Sequence, residues 1–451
     1  MKKFAITFAL IAVVLVSVPQ YFLGFSIWHL GSAVNVATGL GAKLACSARF
    51  ISGFDEQQSL QDVVSYSPAA ALLDLTFDYE NNTVQAELFG MAKTIAKYRK
   101  GLGCTLEIGD THALDQVALP IASDKINPQE ETWVDIDEQL QEKVSSILKQ
   151  DNRNGYQTRA LLVVKDQRVV AETYAEGIDA RTPLMGWSMG KSLTAMLIGR
   201  YAYLNPSEPK SVSFKAWQND GREKIELEHL LQMTSGLDFD ETYAPGSDAT
   251  HMLFTAGSAS NVALNSQLIH EPSTHFSYSS GTTNILARWL YGRTGNSAQS
   301  LVDFAYTQLF QPLGMEHTIF EPDASGVFVG SSYIYASARN WARLGLLMAN
   351  GGIYQGQRLL AEDWVIRAAS PNNSQNEKAY GYQFWLNHGD DELRWPSLPK
   401  DTYAMLGNRK QHVMVIPSEN MVIVRLGWTK SYYPTEVNTK QILDVVSEHS
   451  D

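Results

Sequence analysis

An α+β fold, with one antiparallel sheet flanked by helices and a mostly helical second lobe beside it, is what the apolar patterning of this chain predicts. Three observations carry it. Ala160-Leu161-Leu162-Val163-Val164 and Arg168-Val169-Val170-Ala171-Glu172-Thr173-Tyr174, joined by Lys165-Asp166-Gln167, read as a hairpin. Thr402–Leu406, Gln411–Pro417 and Met421–Gly427, separated by turns at Gly407-Asn408-Arg409-Lys410 and Ser418-Glu419-Asn420, read as a three-stranded meander. Between these two β regions, residues 200 to 370 follow helical spacing with long loops.

With 451 residues, 44% of them hydrophobic and 19% charged, the chain can form one large enzyme or two to three domains. The net charge of -12 and the lack of a Lys/Arg cluster argue against a nucleic-acid partner. Met1-Lys2-Lys3 followed by the uncharged apolar run Phe4–Val18 has the order of a secretory signal. Apolar character resumes through Tyr21, Phe22, Phe25 and Trp28, so residues 1–28 are expected to be a signal peptide or an uncleaved membrane anchor. Either places the body outside the cytoplasm, in a periplasm. The two cysteines, Cys46 and Cys104, read as a disulfide in an exported chain, the alternative being two buried thiols.

Residues 29–128 are expected to form an accessory region. In it, Leu72–Tyr79 and Thr83–Leu88 alternate around Glu80-Asn81-Asn82 as a hairpin. Residues 129–451 form the main domain. It opens on a helical pattern through Trp133, Ile136, Leu140, Val144, Ile147 and Leu148, closing at Lys149-Gln150-Asp151-Asn152 as a solvated end. Short helices follow over Ile225–Leu237, Ser337–Met348 and around Trp364 and Val365, and a last one holds Val437, Ile442, Leu443, Val445 and Val446.

The chemistry is expected at Gly186-Trp187-Ser188-Met189-Gly190-Lys191. Ser188 and Lys191, three apart on a helix, share a face with about 5–6 Å between Cβ atoms. An amine that loses its proton in a closed pocket can activate the serine hydroxyl, and the helix start offers N–H groups where negative charge develops. Other Ser-x-x-Lys strings begin at Ser146, Ser207 and Ser397. The first lies on a solvated helix and the other two carry a proline in a loop, whereas Met189, Leu193, Met196 and Leu197 make an apolar stripe after Ser188. The same serine also satisfies Gly-x-Ser-x-Gly, the turn of an α/β-hydrolase esterase, but Arg181–Met185 is no buried parallel strand and the late His412 continues directly into a strand. No His-Glu-x-x-His pair is present, and neither metal nor cofactor is expected.

Ser188-Met189-Gly190-Lys191 resembles the first motif of the penicillin-recognising serine hydrolases, the superfamily of serine β-lactamases, D,D-peptidases and related esterases. His229-Leu230-Leu231-Gln232-Met233-Thr234-Ser235-Gly236-Leu237 is similar to a segment of the class C β-lactamase-related branch, near the aminohexanoate-dimer hydrolases; Pro312-Leu313-Gly314-Met315 is a further family segment. Tyr278 in Phe276-Ser277-Tyr278-Ser279-Ser280 resembles the second-motif tyrosine that helps move protons. The resemblance implies a β-lactamase/D,D-peptidase-like fold and a Ser188 acyl-enzyme, with Lys191 and Tyr278 transferring protons. It implies substrate contacts at Ser280 and Asn284, the latter equally readable as a structural hydrogen-bonder, and an oxyanion donor at the Asn408 backbone. Ser280 stands where β-lactamases of this type carry Asn, and the Lys-Thr-Gly triplet is missing, which weakens β-lactam specificity. The implied partner is a small amide, ester or peptide substrate. A different class of function, a wall-sensing or penicillin-binding module that acylates without turnover, fits the same fold.

Overall fold

The computed structural model describes residues 26–120, 133–208, 211–389 and 392–448. The signal or anchor expected at residues 1–28 lies, up to residue 25, outside the described residues. Among the described residues no helix is long and apolar enough to cross a membrane.

The first helix, α1 (Leu30–Phe50), has no single apolar stripe, because from Val36 to Ala48 it is buried almost all round. Its small residues permit that: a Cβ on Gly39 would fall 2.0 Å from the Phe254 carbonyl oxygen. The next helix, α2 (Glu56–Tyr66), starts where the Asp55 side chain accepts from the Gln58 N–H at 2.7 Å. A four-stranded antiparallel meander follows: β1 (Asp74–Asp78), β2 (Thr83–Leu88), β3 (Ala92–Arg99) and β4 (Gly103–Leu106). The expected hairpin is its first half, in register Asp78↔Thr83, and β2, β3 and β4 pack on α1.

A helix α3 spans Glu138–Arg153. It begins later than its spacing suggests. The Asp137 carboxylate caps the Leu140 N–H at 2.8 Å, while Asp135 and Asp137 N–H groups bond to the Val169 and Val170 carbonyls, so Trp133 and Ile136 lie on an extended lead-in. Its last turn is solvated as expected, with Lys149, Gln150 and Asn152 exposed, except at Asp151, which is buried and accepts from Thr158 Oγ1 at 2.7 Å and from the Tyr433 hydroxyl at 2.8 Å.

The central antiparallel sheet has six strands in the order β7-β8-β9-β10-β5-β6, with β5 Thr158–Lys165, β6 Arg168–Tyr174, β7 Trp385–Leu386, β8 Tyr403–Gly407, β9 Gln411–Ile416 and β10 Met421–Gly427. The N-terminal hairpin therefore joins the C-terminal meander edge to edge, with Val163 opposite Ile423. Both faces are covered, which explains the continuous apolar runs where a half-exposed strand would alternate. Leu161, Val163, Met414 and Ile423 face α3 and the C-terminal helix; Leu162, Val164, Val413 and Val422 face the larger core with helices Met189–Leu204 and Ala338–Ala349. We label these helices in chain order α4 (Met189–Leu204), α5 (Ser280–Arg293), α6 (Ala338–Ala349) and α7 (Thr435–Glu448). The segment expected helical over Ile225–Leu237 is helical only at Leu227–Leu231, because Met233 and Gly236 take left-handed backbone conformations.

The N-terminal region is tied to the rest by charge and covalent chemistry. Cys46 and Cys104 form a disulfide across 58 residues, a loop whose closure is worth about 4 kcal/mol in the chain-entropy description. One turn earlier on α1, the buried Lys43 ammonium pairs with the buried Glu321 carboxylate and donates to the Cys104 carbonyl at 2.7 Å. Glu321 also accepts from Ser47 Oγ at 2.8 Å and Cys104 N–H at 2.6 Å, and Lys43 lies 4.3 Å from the centre of the Tyr333 ring. Removing one partner of a buried, hydrogen-bonded pair leaves an uncompensated charge. Glu321→Ala is therefore expected to cost about 3–5 kcal/mol in urea unfolding with the disulfide intact, and Lys43→Met added to Glu321→Leu to restore most of it. A loss below about 1 kcal/mol would show the pair to be dispensable.

Candidate active site

The two-residue strand Leu184–Met185 pairs with Ile334–Ala336 and carries the chain into the turn Gly186-Trp187-Ser188. Two glycines allow the close approach there. A Cβ on Gly186 would sit 2.2 Å from the Trp341 ring, and one on Gly407, at the end of β8, 2.2 Å from the Gly186 carbonyl oxygen. Trp187 has φ +50, a conformation a bulky side chain adopts only when its surroundings hold it. Its buried ring is held between Tyr66 of α2, stacked at 5.2 Å, and Trp428 at 6.1 Å. Ser188 follows as the N-cap of α4, and the helix runs from Met189.

One turn on, Lys191 is buried, and its Nζ lies 3.1 Å from Ser188 Oγ, 2.9 Å from Ser280 Oγ and 3.2 Å from the Ser331 carbonyl oxygen. Burial pulls its pKa down to about 8, against the Glu241 carboxylate, which pulls it up. Tyr278 comes from the turn before α5. Its phenol is close enough to the Ser188 side chain for that group to lower its pKa, and the Lys191 nitrogen stands 4.9 Å from the centre of its ring. Burial raises the Tyr278 pKa, the Ser188 side chain opposes this and the Glu241 charge adds to it, so the group is a protonated phenol at neutral pH. Trp385 stacks on its ring at 5.3 Å and Tyr380 meets it edge-on at 6.1 Å. The segment His229–Leu237 supports this turn: Ser277 N–H bonds to the Met233 carbonyl at 2.9 Å and Ser279 N–H to Met233 Sδ at 3.3 Å.

Ser188, Lys191, Tyr278 and Ser280 are thus brought into one cluster. Ser280 faces the lysine directly, and its N–H and hydroxyl both donate to Glu241, at 2.6 and 2.5 Å. Asn284, one turn further along α5, is fully buried, its Nδ2 donating to Ser331 Oγ at 3.0 Å, to the Ser280 carbonyl at 3.1 Å and to Met252 Sδ at 3.2 Å. Its amide nitrogen is thus tied into the interior beside Ser280 and Ser331. Asn408 follows Gly407 at the nucleophile's turn, and its side chain donates to the Tyr66 hydroxyl at 3.3 Å. His412 is buried in β9, with its pKa lowered to about 3 by burial and then by the Arg425 charge, which suits a packed neutral ring and not a triad base.

Glu241, Tyr66 and Ser331 were not legible as site residues. Glu241 ends the acidic run Asp238-Phe239-Asp240-Glu241, directly after the Thr-Ser-Gly-Leu segment, and that charge was a usable signal. Tyr66 had none, because its contacts to Trp187 and Asn408 cross the length of the chain. A cavity of about 580 Å³ lined by Phe54, Asn152, Thr158 and Arg159 lies apart from this cluster, and its Arg159 is already paired with Asp62 at 2.5 Å.

Comparison with known proteins agrees with this geometry. A 6-aminohexanoate-dimer hydrolase of Paenarthrobacter ureafaciens is 24% identical over 287 residues, covering 60% of this chain and 72% of that protein. A Bacillus anthracis structure, provisionally named a 6-aminohexanoate-dimer hydrolase, superposes with a TM-score of 0.57 at 19% identity, covering 75% of this chain and 92% of that one. A family VIII carboxylesterase superposes with a TM-score of 0.53 at 13% identity, covering 67% and 96%. The two structural likenesses show a shared fold. Residues 140–444, which hold Ser188, Lys191, Tyr278 and the whole central sheet, match the Beta-lactamase family, and the chain belongs to it.

Proposed function

We propose that this protein is a serine hydrolase that cleaves an amide or ester bond through an acyl-enzyme on Ser188. The observation that carries the reading is a buried amine of lowered pKa, 3.1 Å from a serine hydroxyl at a helix start. Ser188 Oγ attacks the carbonyl carbon while its proton passes to Lys191 Nζ. The carbonyl oxygen takes the negative charge, stabilised by the Ser188 N–H and, in this reading, the Asn408 N–H; each such donor is worth about 3–4 kcal/mol of barrier. As the bond to the leaving nitrogen or oxygen breaks, the Tyr278 phenol protonates it and recovers a proton from the Lys191 ammonium. Water then attacks the acyl carbon, giving its proton back through the same pair, and Ser188 leaves reprotonated.

For substrate, the similarity to 6-aminohexanoate-dimer hydrolases supports a linear amide, and the partly exposed, stacked rings of Tyr278 and Trp385 support an apolar chain beside the scissile bond. The Cys46–Cys104 disulfide and the apolar run after Lys3 support an exported, oxidising setting, with the N-terminal segment as signal or anchor.

A panel of p-nitrophenyl esters, nitrocefin and short ω-amino acid dimers tests the reading. Ester cleavage is expected, with weak or absent nitrocefin turnover, and Ser188→Ala is expected to lower kcat on the order of 10⁴-fold or more. Activity surviving that change places the nucleophile elsewhere; a burst equal to one site with no further turnover makes the protein an acylated sensor. The pH dependence follows from Lys191, which must be neutral to accept a proton. On the ester that is turned over, kcat/KM is expected to rise with pH through about 8 and to fall away below it. A flat profile between pH 6 and 9 would remove Lys191 as the base.

A further inference from the structure

Lys191 Nζ has three oxygen neighbours, and the direction of each hydrogen bond decides whether the amine is a base. A neutral amine has two N–H bonds and one lone pair. The Ser331 carbonyl can only accept, so it takes one N–H. Ser188 needs the lone pair. The remaining N–H must therefore go to Ser280 Oγ, and Ser280 carries a hydroxyl whose proton could instead point at the lysine and occupy its lone pair.

We propose that Glu241 is a positioning residue that fixes the Ser280 hydroxyl rotor, so that Ser280 accepts from Lys191 and the lysine lone pair is left for the Ser188 proton. The carboxylate can only accept. It takes the Ser280 hydroxyl at 2.5 Å through Oε1 and the Ser280 backbone N–H at 2.6 Å through Oε2, so both of its oxygens are anchored on one residue. The Tyr243 hydroxyl donates to the same Oε1 at a longer 3.4 Å. A serine at the start of α5 with no acceptor behind it would be free to rotate; with Glu241 there the chain of donors runs one way, from Lys191 to Ser280 to Glu241. Among the described residues Glu241 makes no ion pair, and its charge lies close enough to Lys191 to raise the lysine's proton affinity, which keeps the amine basic despite its burial.

This inference rests on Lys191 being the base of the proposed reaction. Its test is the order of two substitutions, read as kcat at the high-pH plateau on a p-nitrophenyl ester. Gln keeps the shape of Glu but carries an N–H₂ group. With its oxygen on the Ser280 N–H, that amide donates to Ser280 Oγ and turns the hydroxyl proton onto Lys191. Ala removes the group and leaves the rotor unconstrained. Glu241→Gln is therefore expected to lower plateau kcat at least about tenfold with KM little changed, and Glu241→Ala to lower it less. In a Ser280→Ala background, where there is no rotor to fix, only the loss of charge near Lys191 remains, so the two changes should lower plateau kcat by the same factor and by less than Glu241→Gln does with Ser280 present. A simple packing contact gives the opposite order, with Gln milder than Ala. That order, or losses of equal size with and without Ser280, overturns the proposal while leaving Ser188 and Lys191 in place. Activity that persists in Lys191→Ala instead defeats the parent reading.

Discussion

A lysine amine buried among oxygens is the constraint on which this molecule turns. Taking an ammonium out of water is expensive, and among the described residues the amine meets no carboxylate in contact, its hydrogen-bond partners being the Ser188 and Ser280 hydroxyls and the Ser331 carbonyl. Those three oxygens come from the start of α4, the start of α5 and the loop ahead of Ile334–Ala336, so satisfying one nitrogen brings three distant segments to a point. The lowered pKa that makes Lys191 useful as a base is the same burial seen from the proton's side. Tyr278 obeys the opposite rule. Burial lowers the pKa of the lysine to about 8 and raises that of the tyrosine, so the same burial makes the amine available as a base near pH 8 while the phenol stays protonated as an acid.

The turn that carries Ser188 is held from outside the family-matched region. Trp187 keeps a left-handed backbone because Tyr66 stacks on its ring from α2, and Tyr66 in turn receives a hydrogen bond from Asn408 at the end of the neighbouring strand. Arg409 Nη2 donates to the Ser65 carbonyl at 2.8 Å and Trp428 Nε1 to the Asp62 carbonyl at 3.1 Å, adding further clamps on the same helix. The region that carries Tyr66 is itself pinned by the Cys46–Cys104 disulfide and the Lys43–Glu321 pair. Residues 30–120 are thus a buttress for the site, with Tyr66 as the point of contact.

Local chemistry was legible in the chain; contact across it was not. Ser188 and Lys191 share one helical turn, so their meeting follows from spacing alone, and the strands on either side announce themselves by unbroken apolar runs. Tyr278 was legible only through its motif, since nothing in its own neighbours says which ring reaches Ser188. Helix α1 escaped notice because a helix buried on every side shows no amphipathic stripe, and its Gly39 and Gly41 are close-packing positions. The late start of α3 reflects a capping aspartate, Asp137, outcompeting an apolar period that continues upstream of it. Asn284 could be read either as a substrate contact or as a structural hydrogen-bonder, and its burial against Ser331 and Met252 is a contact across the chain that its neighbours in sequence do not announce.

The central claim is that Ser188 is made nucleophilic by a neutral Lys191. Covalent labelling with a fluorophosphonate, followed by peptide mapping and repeated across pH, tests it without any assumption about the natural substrate. The account predicts one adduct, on Ser188, forming at a rate that climbs with an apparent pKa of about 8 and collapses in Lys191→Ala. An adduct on another residue, or a Ser188 labelling rate indifferent to pH and to the loss of Lys191, would contradict it.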